Sequence, residues 1–528
     1  MVDMTWTHPY PSQRMPVLAG NMVATSQPLA AQAGLRMLLR GGNAVDAALA
    51  TAIALTVVEP TSNGLGSDAF ALIWDGKRLH GFNGSGRSPG AWNPERFAGL
   101  PEMPITGWDT VTVPGAVDTW ARLSQRFGRL RFTELFEPAI GYARNGYPVS
   151  PITAGAWEAA PEKFGHMPSF ARTFLPGGRA PRPCEHFVNP DQARTLEQIA
   201  DSGGEAFYRG GLAGRIAACA KAEGGAMTAD DLAGHRGEWV EPVSVDYHDV
   251  RLHEIPPNGQ GLAALMALGI LRHHDLRSLP PDSADSLHLQ IEAMKIAFGL
   301  AHAHISDPAF MTVNCHDLLD DGFLEEKART IRPDRAAAPG PAPPADHGTV
   351  YLTAADADGM MVSHIQSNYM GFGSGVVIPE TGISLQNRGH GFRLDPGHPN
   401  CVAGGKRPYH TIIPGFVTRN GAAQMSFGVM GAHMQPQGHV QMMVRIFDYG
   451  QNPQTASDAP RWHVCENGTL ALENGVAPEV IEALRQRGHR IIGGDPVGGY
   501  GGAQLIFRLE NGYCGASDHR KDGQAVGF

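Results

Sequence analysis

Residues 349–365 run as two alternating stretches of β-branched, aromatic and small residues, 349–355 and 361–365, with Asp358-Gly359 between them. Period-two alternation on both sides of Asp-Gly predicts a β-hairpin, because a two-residue turn needs the left-handed backbone those residues tolerate. Asp75-Gly76 joins runs at 69–74 and 78–82 in the same way. Asn420-Gly421 and Asn511-Gly512 repeat the signature, and 243–255 alternates about a turn near His248-Asp249. Residues 22–26 read as one further strand. Helical periodicity marks 28–39, with Ser26 as its expected N-cap and Gly41-Gly42-Asn43 as its stop. Residues 44–58 are apolar almost all round, which predicts a buried helix. Further helices are expected at 117–127, 211–224, after a Thr228 cap, at 262–273, at 287–304 with Ser286 as cap, at 439–447 and at 478–487. Between 128 and 201 the pattern is mixed and Pro-rich, and places helices only loosely. Hairpins with helices before and between them predict an α+β protein of stacked sheets flanked by helices.

Composition narrows the class without naming a chemistry. A chain of 528 residues holds two or three average domains or one large layered unit. A net charge of −10 and the lack of any Lys/Arg-rich run argue against nucleic acid as a partner. Six cysteines scattered without Cys-x-x-Cys spacing suggest neither a zinc site nor a disulfide framework, and are expected as buried thiols. The longest apolar run, 47–58, is too short to span a bilayer, and the first residues carry no apolar signal region, so no membrane partner and a cytoplasmic location are expected. His302 and His304 sit two apart on one helix and face different ways, so no metal is expected, nor any cofactor. The Gly-rich loop 60–68 lacks a following Gly-Lys-Ser/Thr, and reads as close backbone packing near a pocket rather than a phosphate cradle.

The candidate chemistry lies at the hairpin's first residue. A Pro/Ala-rich stretch, 336–345, runs up to His347-Gly348, and Thr349 then opens a strand. Cleavage of the Gly348–Thr349 bond would give Thr349 a free α-amine with a pKa near ~8, suited to act as general base for its own hydroxyl. Strands often begin with Thr and linkers are often Pro-rich, so these features alone leave a plain structural reading open.

Thr349, the Asp356–Gly359 turn, GFGSG at 371–375 and GISLQN at 382–387 follow at matching spacing the start of the small subunit of the γ-glutamyltransferases, self-cleaving N-terminal-nucleophile hydrolases. EPTSNGLGSDAF, NGSGRSP, SNYMGFGSG, QNRGHGF, KRPYHTIIPGF and MQPQGHVQ extend the resemblance from about Met22 to Phe528, and are similar to the bacterial glutathione-hydrolase-like branch. The resemblance implies an αββα four-layer sandwich built from two fragments, 1–348 (with a linker at about 332–348) and 349–528. Together they would form a heterodimer, a dimer of such heterodimers being left open. It also implies roles. Thr349 is the nucleophile, first on its own Gly348 carbonyl and then on a small-molecule amide; Ser367 is the assisting hydroxyl; Gly431 and Ala432 supply oxyanion-holding N–H groups.

Substrate recognition departs from the family. Its Asn, Gln and Asp for the γ-glutamyl α-amine are Tyr369, Arg388 and Gly391 here, its carboxylate-binding Ser-Ser pair is His410-Thr411, and its large-subunit arginine is matched, two residues displaced, by Arg87. An aromatic ring and a cation cannot replace a carboxylate that pairs with ammonium. Arg87, Arg388 and His410 are expected to keep the pocket positive. γ-Glutamyl compounds such as glutathione are the family's default substrates. Dicarboxylic-acid amides without the α-amine (glutaryl-type β-lactam side chains or oxamate, the substrates of related branches) are the alternative. A non-catalytic binding relative is the reading of another class.

Overall fold

The computed structural model describes residues 14–337, 348–465, 468–493 and 499–528. The linker expectation at 338–347, including His347, lies outside the described residues.

Two seven-stranded antiparallel sheets dominate the architecture. The first runs Gln524–Gly527, Met22–Thr25, Gly348–Ala355, Met361–Tyr369, Asp68–Trp74, Leu79–Asn83, Glu238–Val240. The second runs Val17–Ala19, Gly512–Ser517, Gly502–Leu509, Ala422–Met430, Gly415–Arg419, Val250–Glu254, Val243–Tyr247. Phe70, Tyr351 and Ile365 from one sheet pack against Phe416, Met430 and Ile506 from the other, closing an inner apolar layer. Helices Pro28–Leu39 and Ala44–Val58 cover the outer face of the first sheet, and Gly261–Leu271, Ala284–His304 and Met434–Phe447 that of the second. This is the αββα sandwich, with strand Gly348–Ala355 deep in its centre.

Local chemistry accounts for these elements. Ala44–Val58 is buried on every side, so each of Leu49, Ile53 and Leu55 contributes roughly 1.5–3 kcal/mol by leaving water. Asn43 and Asp46 start it with a reciprocal capping box. At the second-sheet hairpin Asn420 and Gly421 both take positive φ, 51° and 75°, as a primed turn requires.

Several expectations need correction. Gln27, not Ser26, caps Pro28–Leu39 by accepting from Leu29 and Ala30 N–H, while the Ser26 hydroxyl donates to Glu59. Ser283, not Ser286, caps Ala284–His304; Ser286 lies in the first turn and meets the Tyr449 hydroxyl. The helix expected at 439–447 begins at Met434, because Pro436 falls in its first turn, where a missing N–H costs nothing. Of the six cysteines only Cys514 is buried; Cys184 is exposed and the others are partly so, all as free thiols. No described helix is long and apolar enough to cross a membrane.

Candidate active site

Thr349 sits at a break in strand pairing. Gly348 faces Tyr369 and Val350 faces Gln366, so two residues of the neighbouring strand, Ser367 and Asn368, stand opposite Thr349. Such a bulge bends the strand and re-aims a side chain. Here the Thr349 hydroxyl comes 3.1 Å from the Ser367 Oγ. Ser367 donates to the carbonyl oxygen of Gly348 at 2.6 Å and accepts from the Tyr369 N–H at 2.7 Å. The Gly348 carbonyl and the Thr349 hydroxyl thus meet at one atom, the Ser367 Oγ. Gly348 has no room for a side chain: a Cβ there would lie 2.4 Å from the Gly371 nitrogen.

Arg388 completes this network. It is fully buried; its Nη1 donates to Thr411 Oγ1 at 2.7 Å and its Nη2 to Ser367 Oγ at 3.2 Å, and the guanidinium lies 4.1 Å over the Tyr369 ring. Among the described residues no carboxylate lies within ion-pair distance of it, and its Nε has no partner. Burial brings its pKa down to about 10, still protonated at neutral pH. Asp68 is the acid whose field it feels, but that carboxyl accepts from Gly86 N, Gly115 N and His410 Nε2. Burial pushes Asp68 up to about 7 against the pull of Arg388.

Gly431 and Ala432 lie between strand Ala422–Met430 and helix Met434–Phe447, with φ of 128° and 48°. They stand just ahead of the helix N-terminus, where the helix dipole favours negative charge. Gly431 lines the same cavity as Thr349, a cleft of about 450 Å³ whose walls include Thr61, Lys163, Phe372 and Lys521.

The remaining expected residues divide. Tyr369 and Gly391 line a second cavity, about 370 Å³, whose wall includes neither Thr349 nor Arg388. His410 adds no charge: burial, with Arg388 and Arg407 nearby, holds it well below the usual histidine range, and it donates to Asp68. Arg87 stands apart, paired with Asp307 at 2.8 Å and Glu238 at 3.4 Å beside a third cavity. Of the three expected cations only Arg388 joins the Thr349 network, and it lines neither cavity; the cations on the wall of the Thr349 cavity are Lys163, Arg520 and Lys521. The bulge opposite Thr349, Asp68 and the second cavity escaped the sequence reading.

Among the described residues one trio has metal-ligand donors in reach of one another, His288, Glu292 and His489. Its atoms are already engaged. His288 Nε2 donates to Arg332 O, His489 Nε2 to His288 Nδ1, and Glu292 holds Lys295 and the Ala337 N–H. An ammonium group in that contact opposes a second cation.

Stacked sheets between helical layers, with a hydroxyl residue at the head of a central strand, define the N-terminal-nucleophile hydrolase fold. The chain belongs to the gamma-glutamyltranspeptidase family, whose model matches residues 30–528, and is an enzyme of that family. It is 39% identical to the glutathione hydrolase-like YwrD proenzyme of Bacillus subtilis over 96% of this chain and 98% of that one. It is 37% identical to the oxamate amidohydrolase proenzyme of Klebsiella pneumoniae, again over 96% and 98%. The crystal structure of a cephalosporin acylase from Bacillus halodurans superposes with a TM-score of 0.96 at 48% identity, covering 100% of this chain and 99% of that one.

Proposed function

We infer that this protein is a self-processing N-terminal-threonine amidohydrolase for amides whose acyl group carries a carboxylate and no α-amine. Thr349 Oγ1 attacks the Gly348 carbonyl, the Gly348–Thr349 amide becomes an ester, and water releases fragments 1–348 and 349–528, held together as a heterodimer. The freed Thr349 α-amine then takes the hydroxyl proton as Oγ1 attacks a substrate amide. The Gly431 and Ala432 N–H groups hold the oxyanion, the amine leaves with a proton, and water hydrolyses the acyl ester.

The observation that carries the substrate class is Arg388, a buried cation one hydroxyl away from Thr349 with no carboxylate within ion-pair distance among the described residues. An unpaired buried charge is costly, and a substrate carboxylate would relieve it. Among the described residues that line the two cavities, no buried and unpaired acid awaits an ammonium group. Glu473 in the Thr349 cavity is bound to Arg520, and Glu102 and Asp395 on the wall of the Tyr369 cavity are exposed. The resemblance to an oxamate amidohydrolase and a cephalosporin acylase supports the same reading.

Intact-mass analysis should show two fragments, the smaller beginning at Thr349, with Thr349→Ala uncut. Glutaryl-p-nitroanilide should then be hydrolysed well ahead of γ-glutamyl-p-nitroanilide, since the two differ only by the α-amine. A much faster γ-glutamyl compound would overturn the substrate class. A wild-type chain that stays whole would overturn the nucleophile.

A further inference from the structure

The second cavity holds buried polar groups that the chemistry at Thr349 leaves unused. His433 follows the Ala432 N–H group directly in sequence and lines this space with His302, Tyr369, His390 and Tyr409. It is buried, and neither of its ring nitrogens has a partner among the described residues; Nε2 of His302 is also unpartnered. The rings are held face to face, Tyr409 against His433 at 6.1 Å and 21°, and His302 against Tyr409 at 5.5 Å and 27°. Native interiors rarely leave such atoms unsatisfied, each one costing roughly 1–3 kcal/mol. With volume of about 370 Å³, the space falls in the range of small-molecule pockets.

We propose that this cavity is a binding pocket for an uncharged, planar group that both donates and accepts hydrogen bonds, such as a carboxamide or a nitrogen heterocycle. A neutral imidazole offers one N–H and one lone pair, so His433 asks its occupant for an acceptor and a donor together. The imidazoles are uncharged: burial sets both low, helped for His433 by His302, His463 and Arg388 and for His302 by Arg393 and His398. The same cations, Arg388 and Arg393, disfavour an ammonium occupant, and Glu102 and Asp395 lie on the exposed part of the wall. Aromatic walls select a flat group. Tyr369, whose ring lies under the Arg388 guanidinium, is on the wall of this pocket and not on that of the Thr349 cavity. Occupancy of the pocket does not rest on the proposed function.

Binding is measured on the purified mature protein with benzamide as probe, by calorimetry and by the ring-nitrogen resonances of isotope-labelled histidine. Benzamide should bind saturably and shift the His433 ring signals, with benzoate and cyclohexanecarboxamide at least ~10-fold weaker. His433→Phe keeps the ring stack and removes both nitrogens, and should lose benzamide affinity by ~10-fold or more at unchanged Tm. His433→Gln, which retains a donor and an acceptor, should recover most of it. Absence of saturable binding, tighter binding of benzoate, or a His433→Phe variant that binds as wild type would each overturn the pocket. The binding readout holds whether or not glutaryl anilides are substrates.

Discussion

Replacing Ser367 with Ala tests the centre of the network. Its Oγ is the single atom that meets the Gly348 carbonyl, the Thr349 hydroxyl, the Tyr369 N–H and Arg388. In the cleavage step the Gly348 oxygen becomes an oxyanion, and loss of one oxyanion donor typically costs ~10²–10³ in rate. Only the part of the bond that strengthens in the transition state counts. Because the donor already sits at 2.6 Å in the uncut chain, the lower end, ~10²-fold slower maturation, is expected. Stability changes less. The Tyr369 N–H and one Arg388 nitrogen lose an acceptor, at roughly 1–3 kcal/mol for each group left unsatisfied, a tolerable loss against a total of ~5–15 kcal/mol. The assay is a time course of intact mass after purification, with Thr349→Ala as the uncut control and Ser367→Thr as the conservative variant. A Ser367→Ala protein that folds and matures within about threefold of the wild-type half-time, well short of the donor effect, would refute the reasoning. It would mean that the bond to Gly348 is a packing contact with no part in the chemistry.

Three further outcomes follow from neighbouring groups. Arg388→Met should lower kcat/KM for glutaryl-p-nitroanilide by about 2–5 kcal/mol, roughly 30- to 5,000-fold, and spare the uncharged butyryl anilide; equal losses on both would remove Arg388 from carboxylate recognition. Ala432 holds φ at 48°, where an L side chain costs about 1–2 kcal/mol, so Ala432→Gly should keep activity at an undiminished Tm. A fall in turnover would show that the Cβ helps to aim the donor. Asp68 is raised in the folded state to about 7 from an ordinary 3.8, so the native protein binds its proton more tightly than the unfolded chain does. Its contribution is greatest below pH ~4 and is lost as pH rises to about 7. Relative to Asp68→Asn, wild-type Tm should fall across that window, and parallel pH profiles would contradict the shift.

How far the sequence could be read depended on the range of the interaction. Asp358-Gly359 and Asn420-Gly421 announced their hairpins because turn preference is written in adjacent residues. Ala44–Val58 was bounded to the residue because its apolar composition and the Asn43 cap agree. Caps failed where two polar candidates compete within a turn, as with Ser26 and Gln27 or Ser283 and Ser286; which one reaches the free N–H groups depends on the chain's entry direction. Contacts across 342 positions left no local trace, so His410 read as a cation although burial, with Arg388 and Arg407 nearby, leaves it a neutral donor to Asp68.

The bulge opposite Thr349 shows the same limit. In unbroken register successive side chains would alternate between the inter-sheet core and the helical layer. The extra residue in 361–369, where Ser367 and Asn368 stand opposite Thr349, breaks that alternation on the neighbouring strand and brings the Ser367 hydroxyl to Thr349. Gly348 permits the break because its backbone lies against Gly371, where any Cβ would collide. Registers belong to pairs of strands, and this one is set by 361–369 and by the Gly371 turn beyond them. The reactive geometry is therefore a property of the hairpin as a whole, and Gly348→Ala should disturb it before it disturbs the fold. Maturation slowed in that variant, with far-UV circular dichroism unchanged, is the expected result. A Gly348→Ala chain that cleaves at the wild-type rate would show that the close approach of Gly371 is not what places Thr349.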